Sequence, residues 1–598
     1  MMSKIKRVVL VQPASAGGNF EYIAIPRQGM LFLSGALAQW EGPYLYERDI
    51  WFEDRSGLMD PDSDLDGVDI LMVTALINEA PRAYQLARLA KLHHPELITI
   101  GGGPQMSPLS EEAIRLGGFD VIVNREGEDI IGQLSDVLLE YQHSPMLDSY
   151  LKKIPGISFV RDGNLVETRR SGLVAPDFVE LPDFRSIRDL TPANPMAGGV
   201  LETVRGCTEK CTYCQVIQQF LGYRLIKRET EKKRLAQLQG LAADGLIHNS
   251  GNGKFTVFIS DDLHPPPLRA VKYRNERFER LKEWRGRTDD MYMICQARAE
   301  IGQDPELAEA MSDANIKMLY LGVESNNAEN LKVVKKRQDP GQMEKDLQTL
   351  NQMDFTVVAM TIIGLPYDNE EDIMNLADWV TQYSKYQTAN LLTPLPATSN
   401  WDDLAPLNEN GDLLAEGEIR PYHLYTGRQL VFYDERWTMQ ESRDLFDRYS
   451  AKLTSIDNLY GRVFRMLRSY KLRLAATSRD LGDTITARIG EATEVLRSWS
   501  EPASMAGREF GENISQRMDE LAENLRAVSQ PLANTRRELV DNISSRVNEL
   551  SDSLRTLSDP LTTGGKDLAL NISHRINELS EMLNGVMVDS NRRSTTNK

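Results

Sequence analysis

The sequence predicts an α/β protein with two successive parallel sheets, a mixed region after them and an all-α tail. Three observations predict it. Short apolar runs alternate with helix-like segments over two separate stretches, aromatic residues become frequent after residue 396, and a 29-residue repeat fills the C-terminal part. Strands that alternate with helices form parallel sheets covered by those helices. At 598 residues the chain is too long for one hydrophobic core, so we expect several domains.

Residues 1–142 predict an open parallel sheet. The apolar runs that fit strands are Arg7–Val11, Tyr44–Arg48, Asp69–Thr74, Leu97–Ile100 and Val121–Val123. The helix-like segments are Gly29–Trp40, Pro81–His93, Ser110–Gly117 and Glu128–Tyr141. Ligands of such sheets bind beyond the carboxyl ends of the strands, which is where we expect a site.

Residues 143–195 predict a β-hairpin and a connector, with the hairpin turn at Asp162-Gly163-Asn164. A second series of strands and helices follows over residues 196–395. Its predicted strands are Phe255–Ile259, Met291–Cys295, Met318–Leu321 and Thr356–Ile363. This length leaves room for six βα units, which indicates a partial (β/α)6 barrel.

For residues 396–478 we predict a C-terminal subdomain of mixed secondary structure. We expect its aromatic side chains to lie mainly in the hydrophobic core. The tail, residues 479–598, is a repeat: Asn513–Leu521 recurs as Asn542–Leu550 and Asn571–Leu579, and a weaker copy begins at Thr484. Apolar residues at alternating steps of four and three predict a coiled coil. The polar outer faces favour self-association or partner binding, with a lipid surface or a solvated spacer as alternatives.

Composition and net charge limit the possible partners and the cellular compartment of the protein. A net charge of −18 argues against a nucleic-acid partner, because binding to phosphate backbones depends on clustered Lys and Arg. No apolar run approaches the roughly 20 residues that span a bilayer, and the first residues read as a strand rather than a signal peptide. We therefore expect a cytoplasmic protein. Four cysteines in the whole chain fit a reducing compartment.

Three of the four cysteines form a compact motif: Cys207, Cys211 and Cys214, spaced C-x3-C-x2-C. This spacing lets one loop place three thiolates around one iron–sulfur cube and leaves the fourth iron open. The alternative is a zinc site, but zinc usually needs four protein ligands and no fourth is evident nearby. Cys295 stands alone and is expected to be a buried strand thiol.

Around these cysteines, residues 195–395 resemble the radical S-adenosylmethionine (SAM) superfamily. The resemblance implies a [4Fe–4S] cluster on the three cysteines, SAM beside it, and an electron donor of the flavodoxin or ferredoxin type. Further segments look like the family's strand ends: Phe258–Asp262 its second, Arg298 its fourth, Leu321–Ser325 its fifth and Ile362–Pro366 its sixth. By this resemblance the expected SAM contacts are Tyr213, Asp261, Arg298, Glu324 and Gly364.

Residues 5–470 also resemble the subfamily that carries a Rossmann-like cobalamin-binding domain before the barrel. The resemblance rests on Thr74-Ala75-Leu76, Gly101–Pro104, Arg125–Glu128 (similar to a Gly-Glu-Gly-Glu segment) and Thr393–Thr398. The cobalamin contacts that it implies are Thr74, Leu76, Gly102, Gly103 and Glu126. No histidine lies between Pro13 and Gly29, so a bound cobalamin would lack a histidine ligand; a domain that binds no cobalamin is the alternative.

Two functions follow from this resemblance, and a third of a different class follows from the repeat tail. The first is cobalamin-dependent methyl transfer to an unactivated carbon, and the second is a radical oxidative cyclisation or rearrangement like that of the magnesium-protoporphyrin ester cyclases. The third is a non-catalytic assembly protein that acts through its repeat tail. The substrate is expected to be a small molecule, and the aromatic residues after 396 permit a hydrophobic one.

Overall fold

The computed structural model describes residues 4–15, 25–170, 172–249, 253–353 and 355–453. The strands are β1 (Lys4–Gln12), β2 (Tyr44–Phe52), β3 (Ile70–Thr74), β4 (Ile98–Gly102), β5 (Val121–Val123), β6 (Ile157–Arg161), β7 (Asn164–Glu167), β8 (Gly199–Leu201), β9 (Val204–Arg205), β10 (Arg224–Leu225), β11 (Phe255–Ile259), β12 (Met291–Ala297), β13 (Ile316–Glu324), β14 (Thr356–Ile363) and β15 (Tyr386–Leu391).

The α-helices are α1 (Gln28–Gln39), α2 (Glu53–Ser56), α3 (Ala80–His93), α4 (Gly103–Met106), α5 (Ser110–Gly117), α6 (Ile131–Tyr141), α7 (Leu147–Leu151), α8 (Val216–Gln219), α9 (Arg228–Ala243), α10 (Val271–Trp284), α11 (Pro305–Asp313), α12 (Ala328–Val333), α13 (Pro340–Gln352), α14 (Glu370–Tyr383), α15 (Ser399–Asp403) and α16 (Met439–Leu453). None of the helices in the described ranges has the length and apolar character that crossing a bilayer requires.

The N-terminal sheet has the strand order β2-β1-β3-β4-β5-β6-β7. Neighbouring strands are parallel from β2 to β5, and the hairpin β6–β7 adds two antiparallel strands at one edge. The predicted parallel sheet and the predicted hairpin are both confirmed. Because the strand order reverses between β1 and β3, their carboxyl ends bound a crevice of the kind that receives ligands in such sheets.

The second sheet has six parallel strands in the order β15-β14-β13-β12-β11-β8. Its two edge strands, β8 and β15, do not pair with each other, as a partial barrel requires. The six-unit prediction is therefore confirmed. The short antiparallel pair β9–β10 lies outside this sheet and frames the cysteine motif.

The strand numbers given by the resemblance were wrong for three segments. Arg298 follows β12, the third strand of the six, where the resemblance implied the fourth. Leu321–Ser325 ends the fourth strand rather than the fifth, and Ile362–Pro366 ends the fifth rather than the sixth. The sixth strand is β15, which carries polar residues without a regular alternation and was not predicted.

Part of the aromatic C-terminal region belongs to the core of the N-terminal sheet. Tyr422 and Tyr425 are each 3% exposed and pack with Val73, Ala80 and Tyr84 from β3 and α3. Burying an aromatic side chain removes a large apolar area from water, so these contacts stabilise the association. The expectation that these aromatics form core is confirmed for both tyrosines. The repeat tail, residues 479–598, lies outside the described residues.

Candidate functional site

The cysteine motif lies on a loop between β9 and α8. This loop begins at Gly206, whose φ is +86° and where a Cβ would lie 2.0 Å from the Gly222 carbonyl oxygen, so only glycine fits. The loop is tied to the chain around residue 334 by the Thr212 N–H, which donates to the Val334 carbonyl at 3.2 Å. Cys211 is buried, and Cys207 and Cys214 are partly exposed.

The three thiols act on one another electrostatically. Burial raises the pKa of all three thiols, and for Cys214, raised to about 12, the charges of Cys211 and Cys207 add to the effect. Three thiolates so placed need a cationic centre to hold them ionised. Among the described residues, no group of three or more His, Cys, Asp and Glu side chains is arranged to hold a single metal ion. The donor set fits a [4Fe–4S] cluster, which takes one thiolate on each of three irons.

Asp261 lies below the cysteine loop and is fully buried. Its carboxylate accepts hydrogen bonds from the backbone N–H groups of Thr203 at 2.6 Å and Val204 at 2.9 Å. Burial alone would raise the pKa of this carboxyl, but the hydrogen bond from His264 at 2.7 Å and the charge of Arg277 hold it below its usual value. The structure thus gives Asp261 protein partners at the entry to the cysteine loop, and its expected contact with SAM stays a prediction.

The neighbouring Asp262 faces the loop itself and was not among the expected residues. It accepts a hydrogen bond from the Gly206 N–H at 3.0 Å, directly before Cys207. Burial raises the pKa of this carboxyl to about 7. Two consecutive aspartates at the end of β11 therefore support the loop from two sides.

Glu324 and Tyr213, both expected SAM contacts, meet at the end of β13. The Tyr213 hydroxyl donates to Glu324 Oε1 at 2.9 Å, and Lys336 Nζ donates to the same oxygen at 2.7 Å. Lys336 is 8% exposed and Glu324 7%, so this is a buried ion pair. Gly322 makes room for it, because a Cβ there would lie 2.5 Å from Lys336 Nζ. Lys336 was missed by the sequence analysis because it lies on a loop without a motif.

Arg298 is buried against the same turn that carries Lys336. Its Nη2 donates to the carbonyl oxygens of Lys336 at 3.0 Å and Arg337 at 2.8 Å. Within the described ranges its Nε and Nη1 have no hydrogen-bond partner, and Nη1 lies 3.6 Å from Glu209 Oε2 on the cysteine loop. Arg298 and Lys336 thus place two cations beside the thiols. Gly364 follows β14 with φ +80°, and a Cβ there would lie 3.1 Å from Leu391 Cδ2 of β15.

The glycine turn after β4 provides close backbone approach in the N-terminal sheet. Gly103 has φ +86°, and a Cβ there would lie 2.2 Å from Thr74 Oγ1 at the end of β3. Thr74, Gly102 and Gly103 line one small cavity of about 50 Å³. Of the expected cobalamin contacts, these three are therefore brought together. This turn, which excludes side chains, fits the close approach that a large cofactor needs.

Glu126, expected at the cobalamin, pairs with two arginines near the cysteine loop. Its carboxylate accepts from Arg205 Nη1 at 2.8 Å and from Arg224 Nη2 at 3.0 Å. Glu128 and Glu202 also contact Arg205, which is 4% exposed. Glu126 therefore connects the N-terminal sheet with the strand that enters the cysteine loop. Its contact with cobalamin stays a prediction.

A cavity of about 280 Å³ lies where the two sheets meet. Leu76 and Ile77, directly after β3, line one side, and Tyr213 and Gln215 of the cysteine segment line another. The remaining lining comes from the ends of β14 and β15, from Arg27 and from residues 425–427, and most of it is apolar. The structure thus places Leu76, expected at the cobalamin, and Tyr213, expected at SAM, in one cavity.

Comparison with known families agrees with this geometry. A model of the radical SAM superfamily matches residues 201–380. This part of the chain is therefore a radical SAM domain, the kind of enzyme domain that uses a [4Fe–4S] cluster and SAM.

Several individual proteins are similar to the chain. It is 23% identical over 411 residues to the uncharacterized methyltransferase PH0819 of Pyrococcus horikoshii, covering 67% of this chain and 83% of that protein. It is 26% identical over 211 residues to the hopanoid C-2 methylase of Rhodopseudomonas palustris, covering 34% of this chain and 37% of that protein.

Two solved structures share the fold at low sequence identity. One is OxsB, described as a cobalamin-dependent SAM radical enzyme, with a TM-score of 0.55 at 15% identity over 98% of this chain and 81% of that one. The other is TsrM from Kitasatospora setae, a radical SAM methyltransferase with cobalamin and a [4Fe–4S] cluster bound. Its TM-score is 0.52 at 15% identity, over 68% of this chain and 78% of that one.

Proposed function

We propose that the chain is a cobalamin-dependent radical SAM methyltransferase that methylates an unactivated carbon. The observation that carries this proposal is the cavity that is lined both by Leu76, which follows β3 of the N-terminal sheet, and by Tyr213 of the cysteine segment. A methyl donor at one sheet and a radical source at the other would both reach this space. The names of the related proteins support the same function.

In this proposal Cys207, Cys211 and Cys214 hold the cluster. When bound, the cluster supplies the electron that splits SAM, and cobalamin supplies the methyl group. Cobalamin would rest on the Gly102-Gly103 turn without a histidine ligand. The protein's own task is to position these groups and to exclude water from the apolar cavity.

The buried charges of the barrel have two roles in this proposal. The proposed SAM contacts are Tyr213, Asp261, Arg298, Glu324 and Gly364, and Lys336 joins them because its ammonium is the buried cation closest to Glu324. Asp261 has a positioning role that its environment supports. By holding the Thr203 and Val204 N–H groups, it fixes the start of the loop on which the cysteines lie.

The test of methyl transfer needs no knowledge of the substrate. The anaerobically reconstituted enzyme is loaded with chemically reduced cobalamin and mixed with SAM, and products are separated by chromatography. We expect S-adenosylhomocysteine in an amount that matches the corrinoid, because its formation accompanies loss of the SAM methyl group. Under reducing conditions without corrinoid we expect 5′-deoxyadenosine alone. Absence of S-adenosylhomocysteine with corrinoid bound would contradict the proposal.

Oxidative cyclisation is the weaker alternative, because the relatives described above are named methyltransferases or methylases. In the same substrate-free experiment it predicts 5′-deoxyadenosine without S-adenosylhomocysteine, whether or not corrinoid is bound. A non-catalytic role predicts neither product. The same chromatographic experiment therefore separates all three functions.

Further proposals concern the substrate, the partners, the domains and the location of the protein. We propose a hydrophobic small-molecule substrate, since most of the cavity lining is apolar, and an electron donor of the flavodoxin or ferredoxin type. We propose the domain bounds 1–142, 143–195, 196–395, 396–478 and 479–598, and a cytoplasmic location without a nucleic-acid partner. The repeat tail is proposed to mediate self-association or partner binding. Removal of residues 479–598 is then expected to lower the number of chains per particle, measured by light scattering. It should leave SAM cleavage unchanged.

A further inference from the structure

Arg125 occupies a backbone conformation that is costly for any residue with a Cβ. Its φ is +67°, and its peptide groups are fixed on both sides. Its N–H donates to Ser107 Oγ at 3.0 Å, and its carbonyl oxygen accepts from Gln219 Nε2 at 3.0 Å. Glycine takes this conformation freely, and glycine opens the Gly-Glu-Gly-Glu segment that Arg125–Glu128 resembles. Arginine here is thus a departure from that segment at an energetic cost, which calls for a functional reason.

The side chain of Arg125 is exposed and stands between two cavities. One is the small cavity at the Gly102-Gly103 turn. The other has a volume of about 360 Å³ and a more polar lining, to which Ser107, Asn124, Thr168, Arg170 and Gln218 contribute. Arg125 is therefore placed to reach a ligand that extends from the glycine turn into the polar cavity.

Two nearby carboxylates are already paired with other arginines, whereas Glu167, which also lines the polar cavity, accepts from the Ser110 hydroxyl at 3.5 Å and the Ser158 hydroxyl at 3.4 Å. Glu126 pairs with Arg205 and Arg224, and Asp129 pairs with Arg170. No carboxylate among the described residues forms an ion pair with Arg125. In the same polar cavity, Arg170 Nε and Nη2 are buried without a hydrogen-bond partner in the described part of the chain. Two guanidinium groups with open donors in one cavity match an oxyanion.

We propose that Arg125, assisted by Arg170, binds an anionic oxygen group of a ligand in the polar cavity. Two sources have this chemistry: the phosphodiester in the nucleotide tail of cobalamin, or a carboxylate or phosphate of the substrate. The first source rests on the proposed function, and the second does not require cobalamin. Direct hydrogen bonds from the guanidinium to the anion compensate for the strained backbone.

The experiment compares two corrinoids on the cluster-containing full chain. Cobalamin carries the nucleotide tail and its phosphodiester, whereas cobinamide lacks both. Loss of a hydrogen bond to a charged group corresponds to about a ten- to hundred-fold loss of affinity. We therefore expect Arg125→Gly to weaken cobalamin binding by about ten-fold or more and to leave cobinamide binding within about two-fold. This result supports the phosphodiester as the anion.

The substrate source is tested with inorganic phosphate by calorimetry, on the cobinamide-loaded enzyme and on the corrinoid-free enzyme. If Arg125→Gly leaves both corrinoid affinities unchanged, phosphate binding that is present in the wild type and lost in the variant supports a substrate anion. If cobalamin affinity is unchanged and phosphate binds neither protein, the proposal is overturned. If the wild type binds no corrinoid at all, the proposed function fails, while phosphate binding that depends on Arg125 still supports the anion site.

Two controls separate anion binding from folding. Arg125→Gly removes the strain, so its melting temperature should equal or exceed that of the wild type; a lower affinity in a protein that is at least as stable cannot come from misfolding. Asp162→Gly makes the same kind of change at φ +48° in the exposed hairpin turn, away from both cavities. It should leave the affinities for corrinoid and phosphate unchanged. An equal loss of affinity in both variants would contradict a role for the Arg125 guanidinium.

Discussion

The two parallel sheets end in different chemical surroundings. At the carboxyl end of the barrel strands, ionisable side chains are buried and paired: Asp261 with His264, Glu324 with Lys336, and Arg298 with the turn at 336–337. The N-terminal sheet also has buried pairs after its strands, Glu79 with Arg27 and Glu126 with Arg205, but at the end of β4 Gly101, Gly102 and Gly103 leave bare backbone beside Thr74. Fixed charges suit a small ionic ligand, whereas bare backbone gives a large ligand room to approach. The predictions below test this difference, from the largest expected effect to the smallest.

The largest effect is expected at the cysteines. Alanine at Cys207, Cys211 or Cys214 removes a thiolate that an iron needs, so we expect loss of the visible iron–sulfur absorbance and of SAM cleavage. Cys295→Ala is the control, since that thiol lies fully buried in β12. It should keep both properties. Retention of the absorbance in all three motif variants would refute the assignment of the cluster.

The second prediction concerns the buried ion pair of the barrel. Lys336→Met leaves Glu324 buried and unpaired, which is expected to cost about 3–5 kcal/mol of unfolding free energy, measured by urea denaturation of the cluster-free protein. Lys332→Met is the control: its pair with Glu329 on α12 is exposed and 3.6 Å long, so a change of less than about 0.5 kcal/mol is expected. Equal effects of the two substitutions would mean that burial does not distinguish these pairs.

The third prediction is a pH dependence in the same set of charges. Burial, together with the charge of Arg277, lowers the pKa of His264 from 6.5 to about 4. The unfolded chain therefore binds a proton that the folded chain does not, between these two values. This contribution to stability is complete above pH 6.5 and is lost as the pH falls through 4, with a total of up to about 3 kcal/mol.

The measurement is the unfolding free energy as a function of pH in wild type and His264→Asn. The difference between the two should change between pH 6.5 and 4, because only the wild type carries this group. His143→Asn changes an exposed histidine and serves as the control. A difference that is constant over this range would rule out a buried neutral His264.

The smallest effect is expected at the glycine turn of the N-terminal sheet. Gly103 and Gly163 have φ values of +86° and +78°, but a Cβ at Gly163 meets open space, whereas at Gly103 it meets Thr74 Oγ1. Alanine at either position pays the cost of the left-handed conformation, about 1 kcal/mol. Gly103→Ala should lose about 1 kcal/mol more unfolding free energy than Gly163→Ala, measured by thermal unfolding. It should also bind corrinoid more weakly, measured by corrinoid titration. Equal unfolding free energies and equal corrinoid affinities of the two variants would contradict the close approach of Gly103 to Thr74.

The sequence predicted the regular parts of both sheets well, because their strands are continuous apolar runs. β5, β11 and β14 have their predicted bounds. The edge strands of the barrel, β8 and β15, were missed because one is three residues long and the other is partly polar. Because the sequence analysis did not find these two strands, the strand numbers came from the resemblance. Three of those numbers were too high by one.

The site was predictable as far as local motifs reach. The cysteine loop and the glycine turn are recognised from a few consecutive residues. Glu126 and Asp261 were assigned to ligands, a prediction that stands, but their protein partners Arg205 and Thr203, 79 and 58 residues away in the chain, were not foreseen. Lys336 reaches Glu324 only because the turn after α12 folds back on the barrel. Pairings of this kind depend on tertiary structure, which a single sequence does not display.

Arg205 has a consequence for how the enzyme can be divided. One guanidinium is shared by Glu202 of its own domain and by Glu126 and Glu128 of the other sheet, and it lies over the rings of Phe32 and Phe220. A fragment that begins at residue 196 would lose two of the three carboxylates and the Phe32 ring, leaving Arg205, two residues before the first cysteine, paired with Glu202 alone. The barrel is thus not a transferable module. Any natural or engineered exchange of N-terminal domains would have to preserve the acidic pair that faces Arg205.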